Sequence, residues 1–134
     1  MDVEAPEPNI DGFFPAKLGF DFVETSKDII KTTLTVRDDL CNGTGIMHGG
    51  ALMTLADTMG AIGTILNLPP DAGTTTIESK TNFFAAVRSG ETITAECTPL
   101  HRGRRTMVWQ TRIHTEKGKL AALITQTQIV LERS

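Results

Sequence analysis

The sequence predicts an α+β domain in which one long central helix packs on a six-stranded antiparallel sheet, in the order β-β-α-β-β-β-β. Three observations support this prediction: a single stretch has helical periodicity, six others alternate apolar and polar residues, and turn-forming residues separate them. The chain has 134 residues, of which 40 % are hydrophobic and 22 % charged, as in one globular domain. Residues 1–134 are therefore predicted to form a single two-layer domain.

The N-terminal part is predicted to be a loose tail followed by two strands. Residues 1–10 are acidic, contain prolines and lack the apolar core of a secretory signal. Apolar side chains alternate through residues 18–24 and 30–36, which indicates two strands joined by a turn at residues 25–28. A loop with Asn42, Gly43 and Gly45 then leads into the helix.

The helix is predicted over residues 49–66, a length of roughly 27 Å. Its apolar stripe recurs at spacings of three and four, and consists of Leu52, Leu55, Met59, Ile62 and Leu66. At 100° per residue, Asp57 lies almost opposite the centre of this stripe. The residues predicted on its side are small: Thr54, Gly60, Ala61 and Thr64. The helix therefore places its apolar face on the sheet and presents a carboxylate to a partner or ligand.

Four strands are predicted after the helix, at residues 73–84, 91–100, 106–115 and 119–131, the last two as a hairpin. Simple alternation in the first of these strands gives two faces. One face holds Thr75, Ile77, Ser79, Thr81 and Phe83, and the other holds Thr74, Thr76, Glu78, Lys80 and Asn82.

Composition and charge argue against several classes of protein. The net charge of −3 gives no sign of a nucleic-acid partner or an anionic membrane surface. Asp57, with threonines and glycines, interrupts the helix segment, which disfavours a membrane span. Cys41 and Cys97 form neither a disulfide framework nor a metal-ligand cluster. We expect a cytoplasmic protein with reduced thiols and no metal.

The start of the helix has the chemistry of an anion or oxyanion site. Glycines at positions 49 and 50 let a ligand approach the backbone, and the first turn offers free N–H groups and the positive end of the helix dipole. His48, immediately before them, is equally well explained as a structural residue where the loop meets the helix.

The spacing of an asparagine, a His-Gly-Gly run and an aspartate resembles that of a known family. Asn42 is followed six positions on by His48-Gly49-Gly50, and Asp57 lies nine positions after His48. This pattern resembles the hotdog-fold acyl-CoA thioesterases of the phenylacetate-pathway (PaaI-like) branch. The resemblance implies a sheet wrapped around the helix, and a homodimer in which the strand after the helix pairs with its copy, with assembly into a dimer of dimers.

The resemblance also implies roles for individual residues. The Gly49 N–H polarises the thioester carbonyl, with Gly50 beside it, and Asp57 of the facing subunit acts as nucleophile or general base. Thr76 is the matching candidate donor to Asp57, although the spacing leaves Thr74 and Thr75 open and an ordinary β-branched strand residue is an equally good interpretation of Thr76. Asn42 contacts the thioester region or the attacking water, unless it is a plain turn residue, and His48 positions the loop.

The substrate implied is an acyl-CoA, so coenzyme A is part of the substrate and no cofactor is expected. Four arginines are a hypothetical binding site for the CoA phosphates, although a solvated hairpin turn is the favoured interpretation. They are Arg88, Arg102, Arg104 and Arg105. Methionines and phenylalanines near the site suit an aryl or a medium-chain acyl group equally well.

Two other functions compete with hydrolysis. A non-catalytic acyl-CoA-binding module would have the same fold. Enoyl-thioester dehydratases place a histidine about fourteen positions before the acid, where this chain has Gly43, and in the hydratase pattern Asp38 and Asp39 have the wrong spacing to His48. Hydration or dehydration is therefore the less favoured alternative.

Overall fold

The computed structural model describes residues 5–132. Residues 1–4 of the predicted tail lie outside the described residues. Six strands and one long helix occur in the predicted order: β1 (Asp21–Thr25), β2 (Ile30–Thr35), α1 (Gly49–Asn67), β3 (Gly73–Phe83), β4 (Thr92–Arg102), β5 (Thr106–His114) and β6 (Leu120–Leu131). Two short 3-10 helices, Phe14–Leu18 and Asp38–Leu40, precede β1 and α1.

The strands form one antiparallel sheet in the order β1-β2-β4-β5-β6-β3, and α1 packs against it. This confirms the predicted architecture of one central helix against six strands. The order leaves β1 and β3 at the edges of the sheet. Strand β3, which follows the helix, pairs only with β6 in the described chain. One side of its backbone is therefore unpaired.

Helix α1 approaches the sheet closely at two glycines. A Cβ on Gly60 would lie 2.4 Å from the Gln126 carboxamide, and a Cβ on Gly63 would lie 2.8 Å from the Trp109 indole. The indole Nε1 donates to Thr64 Oγ1 at 2.9 Å, and both groups are buried. Gly60 and Thr64 therefore face the sheet. The prediction that they lie on a side of the helix turned away from the sheet is wrong, because the sheet needs small residues where the helix backbone comes nearest.

Strand β3 contains a bulge that changes which residues face the helix. Thr76 pairs with Gln128, but Glu78 pairs with Thr127, so Ile77 is an extra residue. Thr74 and Thr76 therefore face the helix before the bulge, whereas the odd-numbered residues from Ser79 onward face it afterwards. The predicted faces, drawn by unbroken alternation, are wrong on this point since an extra residue shifts the alternation by one.

The N-terminal region also departs from simple alternation. Leu18 lies in a 3-10 helix that begins next to Pro15, and β1 begins only at Asp21, three residues later than predicted. In the described part of the tail, the Ala5 N–H donates to the Thr25 carbonyl at 2.7 Å and Ile10 packs against the core.

By length and mean hydropathy alone, α1 passes the criterion for a membrane-spanning helix, with a mean hydropathy of 1.2. Half of that stretch is buried inside the protein. The central helix of a folded domain meets the same criterion, so this observation is weak evidence for a membrane.

Candidate active site

His48 is the N-cap of α1. Its Nδ1 accepts a hydrogen bond from the Gly50 N–H at 2.8 Å, and its own backbone N–H donates to the Leu40 carbonyl at 2.8 Å. Since Nδ1 accepts, a neutral imidazole carries its proton on Nε2. The side chain thus fixes the start of the helix. Because the Gly50 N–H already donates to it, that N–H is not free for a ligand.

The Gly49 N–H is available to a ligand. Among the described residues no acceptor bonds it, as expected for the first helical residue. Gly49 lines an apolar cavity of about 440 Å³, and the Phe83 ring lies so close that a Cβ on Gly49 would be 2.9 Å from it. The other lining residues are Ile46, Met47, Leu52, Phe84, Ala85, Ala86 and Val87.

Asp57 is half-buried and held from one side. Thr76 Oγ1 donates to Asp57 Oδ1 at 2.6 Å, and Gln126 Nε2 lies 3.4 Å from the same oxygen. Of the three threonines left open by the sequence, Thr76 is the one in contact with Asp57. Thr74 donates instead to Gln128 Oε1 or to the Ile129 carbonyl, and Thr75 is exposed.

Asp57 and Gly49 face different cavities within one chain. Asp57 lines a second cavity of about 330 Å³, together with Phe14, Pro15, Met53, Thr54, Thr58 and Ser79. Eight residues of helix separate Asp57 from Gly49, which is about 12 Å along the axis. One thioester group is far smaller than this separation, so a single chain does not bring Gly49 and Asp57 together on the same thioester.

Asn42 lies in a turn of the loop before α1. Its Oδ1 accepts from the Thr44 N–H at 2.9 Å and from the Thr44 hydroxyl at 2.6 Å, while its N–H donates to the Ile46 carbonyl. The side-chain oxygen is therefore engaged by the local turn. The structure supports the interpretation of Asn42 as a turn residue.

The four candidate arginines do not form one cluster. Arg88 follows the cavity residue Val87 and bridges to Ile46, beside the start of α1. Arg102 lies at the opposite end of the helix, near Asn67, and forms an ion pair of 2.7 Å with Asp28. Arg104 and Arg105 are exposed in the adjacent β4–β5 turn, so the chain separates them from Arg88 by roughly the length of α1.

Two glutamines on β6, which the sequence analysis missed, complete the surroundings of Asp57. Gln126 and Gln128 are both fully buried on the helix-facing side of the strand. Gln126 Oε1 has no hydrogen-bond partner within residues 5–132. The available signal was two amides at alternate positions of an otherwise apolar face with Ile124 and Val130, since buried amides need partners.

Cys97 is a buried thiol outside the two cavities. Burial raises the pKa of the Cys97 thiol to about 12, so the thiol stays protonated at neutral pH. Within the described ranges, His, Cys, Asp and Glu side chains form no group of three that would hold a metal ion. Asp57 is the carboxylate that lines the second cavity.

The chain is similar to known proteins in sequence and in fold. The model of the thioesterase superfamily matches residues 44–122. The chain is 30 % identical over 125 residues to 1,4-dihydroxy-2-naphthoyl-CoA hydrolase of Escherichia coli, covering 93 % of this chain and 88 % of that protein.

Two solved structures are also similar. A thioesterase of Haemophilus influenzae has 30 % identity and a TM-score of 0.84, covering 91 % of this chain and 85 % of that one. The PaaI protein of the Escherichia coli phenylacetic acid degradation operon has 25 % identity and a TM-score of 0.80, covering 89 % and 84 % respectively.

Proposed function

Because this chain belongs to the thioesterase superfamily, as a hotdog-fold thioester hydrolase of the PaaI-like branch, we propose that it hydrolyses an aryl- or medium-chain acyl-CoA. The observation that carries the proposal is the half-buried Asp57 carboxylate, with the Thr76 hydroxyl 2.6 Å from one of its oxygens. A hydroxyl donor at this distance holds the Asp57 side chain in one orientation, and a fixed carboxylate suits either attack or proton abstraction.

We assign the carbonyl-polarising group to the Gly49 N–H. Its free donor and the helix dipole both point to stabilisation of the oxyanion that develops on the thioester oxygen. His48 supports this role by capping the helix and taking up the next N–H, that of Gly50. Gly50 then keeps the helix backbone accessible to the substrate and does not donate its N–H to the thioester.

The site is proposed to be completed by a second copy of the chain. Since Gly49 and Asp57 are about 12 Å apart along one helix, the thioester is bound by Gly49 of one subunit and Asp57 of the partner subunit. Pairing of the exposed β3 edge with its copy would bring the two helices together and remove the unpaired edge. Assembly into a dimer of dimers remains part of the proposal.

Two routes satisfy the chemistry of hydrolysis. In one, Asp57 takes a proton from a water whose oxygen attacks the carbonyl carbon. In the other, the Asp57 carboxylate attacks, forming a mixed anhydride that water then hydrolyses. In both, the carbon–sulfur bond breaks, the CoA sulfur leaves and acquires a proton, and the free acid remains. These steps require no cofactor.

The acyl group is proposed to occupy the apolar cavity at Gly49. Its lining lacks charged side chains, and about 440 Å³ lies within the usual range for small-molecule pockets. The aryl acyl group named for the Escherichia coli hydrolase is consistent with an aryl substrate here. Of the four candidate arginines, Arg88 is the one next to this cavity, and we propose it for a contact with a CoA phosphate.

The test is a thiol-release screen of the purified protein over aryl-, short-, medium- and long-chain acyl-CoAs. We expect release with aryl or medium-chain substrates, and a fall in kcat of about 10²- to 10⁴-fold for Asp57→Asn with acyl-CoA binding retained. Asp71→Asn is the matched control, because Asp71 is exposed with a positive φ that asparagine tolerates.

Two outcomes would contradict the proposed function. Binding of acyl-CoA without any thiol release would indicate a non-catalytic binding module. Hydration of enoyl-CoA without thiol release would indicate a hydratase.

A further inference from the structure

A polar side-chain network lies behind Asp57, on the side away from its cavity. Gln128 Nε2 lies 2.6 Å from Thr76 Oγ1, and Thr76 Oγ1 lies 2.6 Å from Asp57 Oδ1. At the other end of the amide, Thr74 Oγ1 lies 3.0 Å from Gln128 Oε1. The network therefore runs from β3 through β6 back to β3, and ends on the helix.

The direction of the hydrogen bonds in this network is fixed by the carboxylate. An ionised Asp57 only accepts, so the single Thr76 proton must point at Oδ1. The Thr76 oxygen then has only lone pairs to offer Gln128, and the NH₂ end of the amide is the end that donates. The carbonyl end faces Thr74, whose hydroxyl is able to donate to it.

We propose that Gln128 is a positioning residue for catalysis: by donating to Thr76 Oγ1, it makes the Thr76 hydroxyl a permanent donor to Asp57. Without Gln128, the Thr76 hydroxyl is free to rotate and satisfy another acceptor. The proposal rests on the proposed function, because it assigns Gln128 a role through the residue that attacks or activates water.

Burial strengthens the hydrogen bonds of Gln128. Gln128 has no exposed surface, and a hydrogen bond in such surroundings is stronger than one in water. A buried amide used only for packing costs free energy unless it is bonded at both ends, and here both ends are bonded. Among the side chains bonded to this network or paired in register with Gln128, Asp57 is the titratable one.

The first test is a double-mutant cycle measured by thiol release. Gln128→Met should lower kcat about tenfold with little change in KM, the equivalent of one weakened hydrogen bond at Asp57. Thr76→Val should lower kcat by a similar factor, and the double variant should be no slower than Thr76→Val alone. Thr127→Val, on the opposite face of β6, should match the wild type.

Independent, multiplicative losses in the double variant would overturn the proposal, as would an unchanged kcat for Gln128→Met. Either result leaves the proposed function intact if Asp57→Asn is inactive and the wild type releases thiol. A wild type that releases no thiol would overturn both.

A second variant covers the case in which Gln128→Met does not fold. The carboxyl of Gln128→Glu donates to Thr76 only while protonated, and burial beside Asp57 raises its pKa above the usual value. The ratio of variant to wild-type kcat should therefore fall as pH rises through that pKa. The same decline in a Thr76→Val background would show that the buried charge itself is responsible, and would overturn the proposal.

Discussion

The two oxygens of the Asp57 carboxylate have different surroundings. Within residues 5–132, the hydrogen bonds to the carboxylate all fall on Oδ1, from Thr76 at 2.6 Å and from Gln126 at 3.4 Å. Oδ2 is therefore the oxygen available to a substrate or a water. The bonded oxygen fixes the orientation of the side chain, so that the free oxygen is presented in a reproducible position.

Replacement of Thr76 tests this arrangement at the level of one hydroxyl. Thr76→Val should lower kcat about tenfold, because Asp57 loses a charge-assisted hydrogen bond. Thr76→Ser keeps the donor and should stay close to the wild type. Steady-state thiol release measures both variants.

The neighbouring threonine provides the control. Thr75 lies on the exposed face of β3, so Thr75→Val should leave kcat unchanged. A loss of activity in Thr75→Val together with normal activity in Thr76→Val would contradict the assignment of Thr76.

At the scale of single elements, α1 is defined by how closely it lies on the sheet. Gly60 and Gly63 bring its backbone against Gln126 and Trp109, and the Trp109–Thr64 hydrogen bond crosses the same contact. This close approach places the start of Asp57's side chain beside β3 and β6, where Thr76 and Gln126 reach it. The geometry of the site therefore depends on helix packing as well as on the polar residues.

Gly63→Ala tests the importance of this close approach. The added methyl would lie 2.8 Å from the buried indole of Trp109. Overpacking costs about 1–3 kcal/mol, and the better helix propensity of alanine offsets about 1 kcal/mol, so we expect a net loss of stability. Urea unfolding monitored by circular dichroism measures it.

A second substitution identifies the cause. In a Trp109→Phe background the smaller ring leaves room for the methyl group, so the cost of Gly63→Ala should shrink. An equal cost in both backgrounds would show that contact with the indole is not responsible.

The apolar cavity at the start of α1 predicts selectivity for acyl size. Ala86→Leu narrows this cavity and should lower kcat/KM for octanoyl-CoA more than for acetyl-CoA, since only the longer chain needs the lost volume. Ala72→Leu, in the turn before β3 and outside the cavity lining, is the control. Equal losses for both substrates would place the acyl group elsewhere.

These elements also show what the sequence alone predicts. Helical periodicity and the His48-Gly49-Gly50 run placed the start of α1 at Gly49, because an N-cap and its free N–H groups are local features. The bulge at Ile77 and the partner of Asp57 depend on how β3 pairs with β6, for which the local pattern carries no marker. Gln126 and Gln128 carried a local signal, two amides on an apolar face of β6, but their contacts with Asp57 and Thr76 depend on the same strand pairing.

At the scale of the whole molecule, strand β3 has both exposed apolar side chains and an open backbone edge. Ile77 and Phe83 on β3 are more than half exposed, and the β3 backbone is paired only with β6 in the described chain. A surface of this kind on an edge strand favours pairing with another chain. The same pairing is what the proposed shared site would need, since Gly49 and Asp57 are about 12 Å apart along one helix.

Mixing two inactive variants tests whether the site is shared between subunits. Asp57→Asn removes the carboxylate, and Gly49→Pro removes the N–H donor at the first helical position. The helix backbone accepts proline there, and the exposed Phe83 ring has to shift to admit the added carbon atoms. A heterodimer of the two has one site with both defects and one site with none. Refolding an equal mixture should therefore restore about a quarter of the wild-type activity, because half of the dimers carry one intact site in two.

Each variant refolded alone provides the baseline, and both should remain inactive with the elution volume of a dimer in size-exclusion chromatography. If the mixture were as inactive as its components while exchange of subunits was demonstrated by mass spectrometry, each site would lie within one chain. Gly49 and Asp57 would then act on different parts of the substrate, since about 12 Å of helix separates them.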